Sequence, residues 1–201
     1  MNGLNVYDFD GTLYKGESSL HFACFCLLRK PKILLFFPKI LSLYKKHKKN
    51  ELCLEEANLL FKKLLEQTIV DDYELEKLLQ TFWRKHEKNL NWPLIDTMKE
   101  KDVILSAGPD FLLKSSPLKD KNIFCSEIDL KNKKILFFCY GENKRIKFKE
   151  KYKEERIEKF YTDSYSDLPL MNLAQEVYLV EHGVGLGKKI NQKEKEEERC
   201  K

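Results

Sequence analysis

Glycine and proline are scarce in this sequence, with eight and six residues respectively among 201. Collagen-like and low-complexity chains need far more of both, so these classes are excluded. Hydrophobic residues make up 42% of the chain and charged residues 34%, a mixture that predicts a helix-rich folded protein with charged outer faces. The length suits one domain with a modest insertion, which is enough to bury a core.

Paired cysteines and a strong net charge are also absent. None of the six cysteines has Cys-x-x-Cys spacing, and the first residues lead directly into a strand-like run, so we expect no secretory leader and a reducing, cytoplasmic compartment. The net charge of +5 is small and evenly spread, so we expect no nucleic-acid partner. The four histidines form no ligand pair along the sequence, and no role is assigned to them.

Long apolar runs are missing as well. The most apolar segment, residues 18–49, is interrupted by Arg29, Lys30, Lys32 and Lys39, whereas a membrane-spanning helix needs about 20 apolar residues in succession. We therefore expect no transmembrane helix. Two interpretations remain open: the apolar faces pack together as a small helical bundle, which we favour, or part of this surface rests on anionic lipid.

Strand-like and helix-like segments alternate over much of the chain. Strands are predicted at residues 4–8, 102–106, 122–126, 157–162 and 176–180, with a hairpin-like turn near 131–133. Helical patterns lie between them, at about residues 109–116, 143–155 and 167–174. Because strands that alternate with helices form parallel sheets, we predict an α/β fold with a Rossmann-like parallel sheet flanked by helices.

One long block interrupts the alternation. Residues 15–90 carry hardly any strand signal, and apolar positions recur there at three- and four-residue spacing, as in 51–67 and 71–90. We predict that 15–90 is an inserted α-helical cap, and that residues 1–14 and 91–187 form the α/β core. Residues 188–201 are charge-dense and have no core pattern, so we expect a tail that frays or ends in a solvated helix.

Three predicted strands end in a polar residue: Asp8, Ser106 and Asp163. Because open parallel sheets bind ligands outside the carboxyl ends of their strands, we expect these side chains to meet in one crevice. Asp167 follows shortly after Asp163, where it could cap the next helix and keep its carboxylate near the same place. These residue types suit phosphate chemistry.

Carboxylates that lie this close together repel one another, at a cost of roughly 4 kcal/mol for each pair at 4 Å and an effective dielectric near 20. Asp8 and Asp10 are separated by a single residue, so a positive group must sit among these side chains. The oxygen-only set of ligands favours a hard ion, and Mg²⁺ with its waters fits one or two carboxylates together with a substrate phosphate.

Four stretches of the sequence carry a resemblance to a known family. In order, they are "DFDGT" at residues 8–12, "SAGPD" at 106–110, "YGENKRIK" at 140–147 and "YTDSYSDLP" at 161–169. They resemble the four motifs of the haloacid dehalogenase superfamily, and the helical insertion behind the first motif resembles the cap of the phosphoserine phosphatase-like branch. The resemblance extends from residue 5 to about residue 182, and four ordered motifs are far more specific than one.

The resemblance implies roles for the acids and for one lysine. Asp8 would be the nucleophile that forms an aspartyl phosphate, and Asp10 would protonate the leaving oxygen and then activate water. Lys144 would neutralise charge in the transition state. Lys147 is a rival for that role, but Lys144 matches the spacing of the family after "GE" better.

The resemblance also implies binding residues. Thr12 and Ser106 would hold phosphate oxygens together with the amides of Phe9, Asp10 and Ala107. The metal would be bound by Asp8, Asp163 and the main-chain oxygen of Asp10, with Asp167 acting directly or through a water. Glu17 sits where relatives place a residue that reads the substrate. Two departures stand out: Thr162 occupies a position where many relatives have glycine, and the loop at 164–166 is bulkier than usual.

Taken together, the resemblance implies an Mg²⁺-dependent phosphomonoester hydrolase that acts on a small phosphorylated metabolite through an aspartyl phosphate. Three alternatives remain open: a phosphomutase, a phosphatase for a lipid-linked phosphate at the membrane surface, and a catalytically silent phosphate-binding regulator. The intact set of acids argues against the regulator. We expect a monomer or homodimer, and contact with a membrane surface is not favoured.

Overall fold

The central sheet is built from seven strands. The computed structural model describes residues 3–29, 35, 37–48, 72–153 and 155–191. Along the chain the strands are β1 (Leu4–Asp8), β2 (Val103–Pro109), β3 (Asn122–Asp129), β4 (Lys134–Phe137), β5 (Ile157–Thr162), β6 (Ala174–Glu181) and β7 (Val184–Ile190). They form one sheet in the order β4-β3-β2-β1-β5-β6-β7.

The inner part of the sheet is parallel and both edges are antiparallel. Strands β3, β2, β1, β5 and β6 run in the same direction, while β4 pairs antiparallel with β3 and β7 pairs antiparallel with β6. The predicted Rossmann-like α/β fold is therefore confirmed, with a mixed sheet rather than a purely parallel one. The predicted turn near residues 131–133 joins β3 to β4, and Lys133 adopts a positive φ of 53° there.

The C-terminal strand corrects one prediction. The prediction of a charged tail at residues 188–201 is wrong for residues 188–190, because β7 continues to Ile190, while residues 192–201 lie outside the described residues. Lys188 and Lys189 pair with β6, and the Ile190 side chain is buried in the core. Charge density in the sequence hid this strand, because an edge strand can expose lysines while its backbone completes the sheet.

Helices lie between and beside these strands. They are α1 (Ser18–Leu27), α2 (Phe37–Lys48), α3 (Asp72–His86), α4 (Trp92–Ile95), α5 (Asp110–Leu113), α6 (Glu142–Lys151) and α7 (Leu168–Met171), with short 3₁₀ turns at Glu87–Asn89 and Tyr165–Asp167. The helix predicted at 143–155 ends earlier, because Tyr152 leaves the helical region with φ −116° and ψ 53°. The helical segment predicted at 51–67 lies outside the described residues.

Two apolar clusters cover the two faces of the sheet. Leu4 and Val6 of β1 belong to one cluster, which includes Phe148 of α6, while Tyr7 belongs to the other. Successive side chains of a strand point to opposite faces, so a central strand covered on both sides is apolar along its length. Accordingly, every residue of β1 is buried.

Part of the predicted cap packs over the loop that follows β1. In α3, Leu75, Leu79 and Phe82 recur at helical spacing and are buried. Phe22 and Phe25 of α1 lie with their ring centroids 5.2 and 5.6 Å from that of Phe82. Part of the apolar face of α1 is therefore buried against α3, while the bundle interpretation for residues 18–49 stays a prediction, because much of residues 30–71 lies outside the described residues. Of the helices described, none is both long and apolar enough to cross a membrane.

Candidate active site

The candidate site lies at the carboxyl ends of the three central strands. β1 lies between β2 and β5, and Asp8 is paired with Leu105, directly before Ser106. On the other side, Tyr7 is paired with Tyr161, so Asp163 follows β5 close to the level of Asp8. The register of the sheet therefore brings these three polar residues to the same edge.

Lys144 joins the site from the first turn of α6. Its Nζ donates to Asp8 Oδ1 at 2.6 Å and to Asp167 Oδ2 at 3.0 Å, and the lysine is only 4% exposed. Lys147, the rival for the basic role, instead pairs with Glu127 at 2.7 Å and is partly exposed. The structure therefore brings Lys144 to the acids and turns Lys147 away from them.

Burial and charge compete in this cluster. Burial lowers the pKa of Lys144, but the neighbouring Asp167 and Asp8 carboxylates outweigh it and raise the pKa well above its ordinary value. Burial raises the pKa of Asp8, and the charges of Asp167 and Asp163 add to this effect against the opposing attraction of Lys144. Lys144 is thus a fixed cation, and it stabilises ionised carboxylates in a buried place.

Asp10 sits beside this pair on the loop after β1. Its Oδ1 accepts the backbone N–H of Ser18 at 2.6 Å, so it satisfies one of the unpaired donors at the start of α1. Burial, assisted by the charge of Glu17, raises the pKa of Asp10 to about 7. A carboxyl group with such a pKa can carry a proton near neutral pH and give it up during a reaction.

The loop from Asp10 to Gly16 folds tightly around the site. Gly11 adopts φ +75°, and its N–H donates to Tyr14 O at 2.9 Å. The Thr12 hydroxyl is buried and has no hydrogen-bond partner in the described part of the chain. Asn91 holds this loop from outside, because its side chain donates to Thr12 O at 3.1 Å. A buried hydroxyl without a partner is suited to a ligand oxygen.

The loop after β2 closes the other side. Ser106 is fully buried and its Oγ accepts the Gly108 N–H at 3.0 Å. A Cβ at Gly108 would lie 3.2 Å from Ser106 Oγ and 3.7 Å from Asp10 Oδ2, so this backbone passes directly beside both groups. The Ala107 carbonyl accepts a hydrogen bond from Ser126 at 2.7 Å. Ser106 and Asp10 therefore border the same space.

Asp163 and Asp167 approach from the loop after β5. A Cβ at Gly11 would lie 2.1 Å from Asp163 Oδ2, which shows how closely Asp163 packs against the first loop. Asp167 is 1% exposed and makes no cap bond to the following helix α7. The prediction that Asp167 caps this helix is wrong, because its carboxylate turns inward to Lys144 instead.

The acids fit a hard cation that is completed by other ligands. Lys144 Nζ lies 2.9 Å from Asp167 Oδ1, but without hydrogen-bond geometry, so this buried oxygen accepts no hydrogen bond from a described residue. No three acidic, histidine or cysteine side chains in the described ranges form a metal cage by themselves. Mg²⁺ commonly keeps waters and uses only one or two carboxylates, so the absence of a cage is compatible with it.

Sequence reasoning missed a second polar cluster beside the site. Tyr14 OH lies 2.7 Å from His21 Nδ1 and 3.3 Å from His86 Nδ1, and it accepts a hydrogen bond from Asn89 at 3.1 Å. Burial lowers the pKa of both histidines. These residues come from α1, α3 and two loops, so no spacing along the chain could have indicated that they meet.

Comparison with known proteins identifies the family. The family model for haloacid dehalogenase-like hydrolases matches residues 6–172. The chain belongs to this family. The match contains the strand ends and loops that carry Asp8, Ser106, Lys144, Asp163 and Asp167. No curated protein is similar enough in sequence to count as a relative.

Solved structures share the fold of this haloacid dehalogenase-like hydrolase at low sequence identity. A protein of unknown function from Bordetella pertussis Tohama I has 16% identity and a TM-score of 0.68, over 88% of each chain. A phosphoserine phosphohydrolase-like protein from Francisella tularensis subsp. tularensis SCHU S4 has 15% identity and a TM-score of 0.56, over 92% of this chain and 96% of the other. A phosphoserine phosphatase, solved as a phospho-aspartyl intermediate analogue, has 14% identity and a TM-score of 0.52, over 89% and 86%.

Proposed function

We propose that this haloacid dehalogenase-like hydrolase is an Mg²⁺-dependent phosphatase that cleaves phosphomonoesters through an aspartyl phosphate on Asp8. The observation that carries the proposal is the buried contact of Lys144 with Asp8 and Asp167, beside Asp10, whose pKa is raised to about 7. A nucleophile, a proton donor and a fixed cation are the groups that phosphoryl transfer requires.

The first step transfers the phosphoryl group to Asp8. Lys144 holds the Asp8 carboxylate through Oδ1, and one carboxylate oxygen of Asp8 attacks phosphorus. The bond between phosphorus and the leaving oxygen breaks, and protonated Asp10 gives its proton to that oxygen. The Thr12 and Ser106 hydroxyls border the space where the phosphate oxygens would lie, and Lys144 neutralises the charge that develops between nucleophile and phosphate.

The second step returns the enzyme to its starting state. Asp10, now ionised, takes a proton from a water molecule as that water attacks phosphorus. The bond between phosphorus and Asp8 breaks, so inorganic phosphate leaves and Asp8 is a carboxylate again. Burial of Asp10 supports both roles, because a pKa near 7 makes proton donation and proton uptake comparably favourable at neutral pH.

The metal site in this proposal consists of Asp8 and Asp163, with the main-chain oxygen of Asp10 and with Asp167 acting directly or through a water. When bound, Mg²⁺ would lower the repulsion between the acids and the phosphate and polarise the phosphoryl oxygens. Asp167 Oδ1 is buried and accepts no hydrogen bond from a described residue, although it forms an ion pair with Lys144, so it keeps a lone pair that supports a further ligand at this place.

The proposed substrate is a small phosphorylated metabolite. Glu17 directly precedes α1, and its charge raises the pKa of Asp10; this electrostatic influence on the proton donor supports the proposal that Glu17 reads the leaving group. Solved phosphoserine phosphatases share the fold, and one of them was solved as a substrate-bound complex. That likeness supports the proposed reaction class.

The proposal is tested with purified protein and a panel of phosphomonoesters, assayed for phosphate release with and without Mg²⁺. We expect Mg²⁺-dependent release by the wild type. Asp8→Asn and Asp10→Asn should each lower kcat by about a thousandfold or more, because each removes a group that reacts. Intact-mass measurement after mixing with substrate should reveal a phosphorylated enzyme, most abundantly in Asp10→Asn.

The controls separate loss of chemistry from loss of fold. Both variants should keep the circular dichroism spectrum of the wild type, since the change from Asp to Asn keeps side-chain size. Turnover that persists in Asp8→Asn would contradict the covalent route. Transfer of the phosphoryl group to a second position of the product, without release of phosphate, would indicate the phosphomutase alternative.

A further inference from the structure

Thr162 is a buried hydroxyl directly beside the proposed metal ligands. It is the last residue of β5 and has no exposed surface. Its Oγ1 lies 3.1 Å from Asp167 Oδ2 and 3.3 Å from the carbonyl oxygen of Ser164, and it accepts the Ser164 N–H at 3.2 Å. A hydroxyl has one proton. The proton is donated to Asp167, because a carboxylate is both the closer and the stronger acceptor here.

Among the described residues, the Thr162 hydroxyl is one of two groups that donate hydrogen bonds to the Asp167 carboxylate. The other is Lys144, whose Nζ donates to the same Oδ2 at 3.0 Å. Asp167 makes no cap bond to α7, so the helix that follows does not fix this carboxylate. A continuous series of hydrogen bonds therefore runs from Thr162 through Asp167 and Lys144 to Asp8.

The loop after Thr162 has hydrogen bonds of its own, so its fold does not depend on the Thr162 hydroxyl alone. Ser164 Oγ accepts the Ser166 N–H at 3.2 Å and lies 3.0 Å from Ser166 Oγ. These bonds stabilise the 3₁₀ turn independently of the contact between Thr162 and Asp167. The turn can thus persist when this one contact is lost.

We propose that Thr162 is a positioning residue whose hydroxyl holds Asp167, so that Lys144 stays directed at Asp8. The inference rests on the proposed function and extends it to a group that does not touch substrate. If Asp167 can rotate, Lys144 loses one of its two partners and is held less firmly at the nucleophile. A group that acts in this way lowers kcat more than it changes substrate binding.

The test compares Thr162→Val, which replaces the hydroxyl with a methyl group of similar size, with Thr162→Ser, which keeps the hydroxyl. We expect Thr162→Val to lower kcat roughly 10- to 100-fold, the loss typical of one hydrogen bond to a charged group, with KM within about twofold. Thr162→Ser should stay within about threefold of the wild-type kcat. Thr81→Val is the matched control, because its hydroxyl bonds Lys77 O on α3, and it should leave kcat unchanged.

A double-mutant cycle with Asp167→Asn then shows whether Thr162 acts through Asp167. Thr162→Val also removes an acceptor for the Ser164 N–H, and that loss is the same in both backgrounds. Asn keeps an oxygen that can accept the Thr162 hydroxyl but lacks the charge, so in the Asp167→Asn background we expect Thr162→Val to raise the activation free energy by only about half as much as in the wild type.

The same cycle is measured by urea unfolding of the metal-free protein, which needs no substrate. A non-additive effect of the two changes on the unfolding free energy supports the contact between Thr162 and Asp167. Equal losses in Thr162→Val and Thr162→Ser, or additive effects in both cycles, would overturn the inference. If the wild type releases no phosphate from any substrate, the proposed function fails, while the unfolding cycle still decides whether the hydroxyl holds Asp167.

Discussion

Replacing Lys144 with Met tests the charge balance of the site most directly, because the change removes the ammonium group and keeps much of the side-chain length. Lys144 Nζ lies 2.6 Å from Asp8 Oδ1 and 2.9 Å from Asp167 Oδ1. At an effective dielectric of about 20, each of these contacts corresponds to an attraction of roughly 6 kcal/mol. Desolvation of the buried groups offsets much of it, and removal of one partner of a buried pair typically costs about 3–5 kcal/mol.

We therefore expect Lys144→Met to lower the unfolding free energy of the metal-free protein by about 3–5 kcal/mol. The loss is smaller if the uncompensated carboxylates take up protons, as the raised pKa of Asp8 favours. We also expect kcat to fall by about a thousandfold or more, because a fixed positive charge is lost where negative charge develops. Urea unfolding at neutral pH measures the first effect, and phosphate release at saturating Mg²⁺ and substrate measures the second.

Lys147→Met is the matched control. Lys147 lies on the same helix and is paired with Glu127, with side-chain exposures of 25% and 44% for the two residues. A partly exposed pair of this kind contributes about 1 kcal/mol or less to the unfolding free energy. Because Lys147 pairs with Glu127 and not with the acids of the site, kcat should stay within about twofold of the wild type. A near-normal kcat in Lys144→Met, or a large loss in Lys147→Met, would show that the basic residue of the site has been misplaced.

Two further predictions concern the loop after β1 and the polar cluster beside it. Gly11→Ala should lower the unfolding free energy, measured in urea, by at least about 1–3 kcal/mol, because Gly11 has a φ of +75° and an added Cβ would overlap Asp163 Oδ2. Gly141→Ala is the control. Gly141 also has a positive φ, but an added Cβ would meet nothing within 4 Å, so this change should lower the unfolding free energy less. Burial lowers the pKa of His21 in the folded protein. As the pH falls below about 6.5, His21 is therefore protonated in the unfolded chain before it is protonated in the folded chain, and the folded state loses stability. His21→Asn can still accept from Tyr14 and should lose less stability than the wild type between about pH 7.5 and pH 5.5; an equal loss in thermal unfolding would refute this.

Much of the core could be predicted from the sequence because its signals are local. The apolar run that ends at Asp8 has the composition of a buried central strand, and strands that alternate with helices favour a sheet that is parallel in its inner part. The polar residues at three strand ends could be assigned to one crevice, since parallel topology brings those ends together. The pairing of Asp8 with Leu105 agrees with that reasoning.

The edges of the sheet were harder to predict. The end of strand β7 reads as the beginning of a charged tail, because Lys188 and Lys189 expose their side chains at the sheet edge while their backbone pairs with β6. Ile190 is the apolar residue that returns to the core. A single buried side chain among charged neighbours gives too weak a pattern for strand prediction from sequence.

What the sequence by itself determined is the set of candidate site residues and their order: the paired acids Asp8 and Asp10, the lysine after "GE" and the acids of the last motif. Tertiary structure alone decided their partners. Asp167 reads as a helix cap, but the ion pair with Lys144 and the hydroxyl of Thr162 turn it into the interior. Such choices depend on which charges are buried together, and burial is a property of the packed chain that no local spacing encodes.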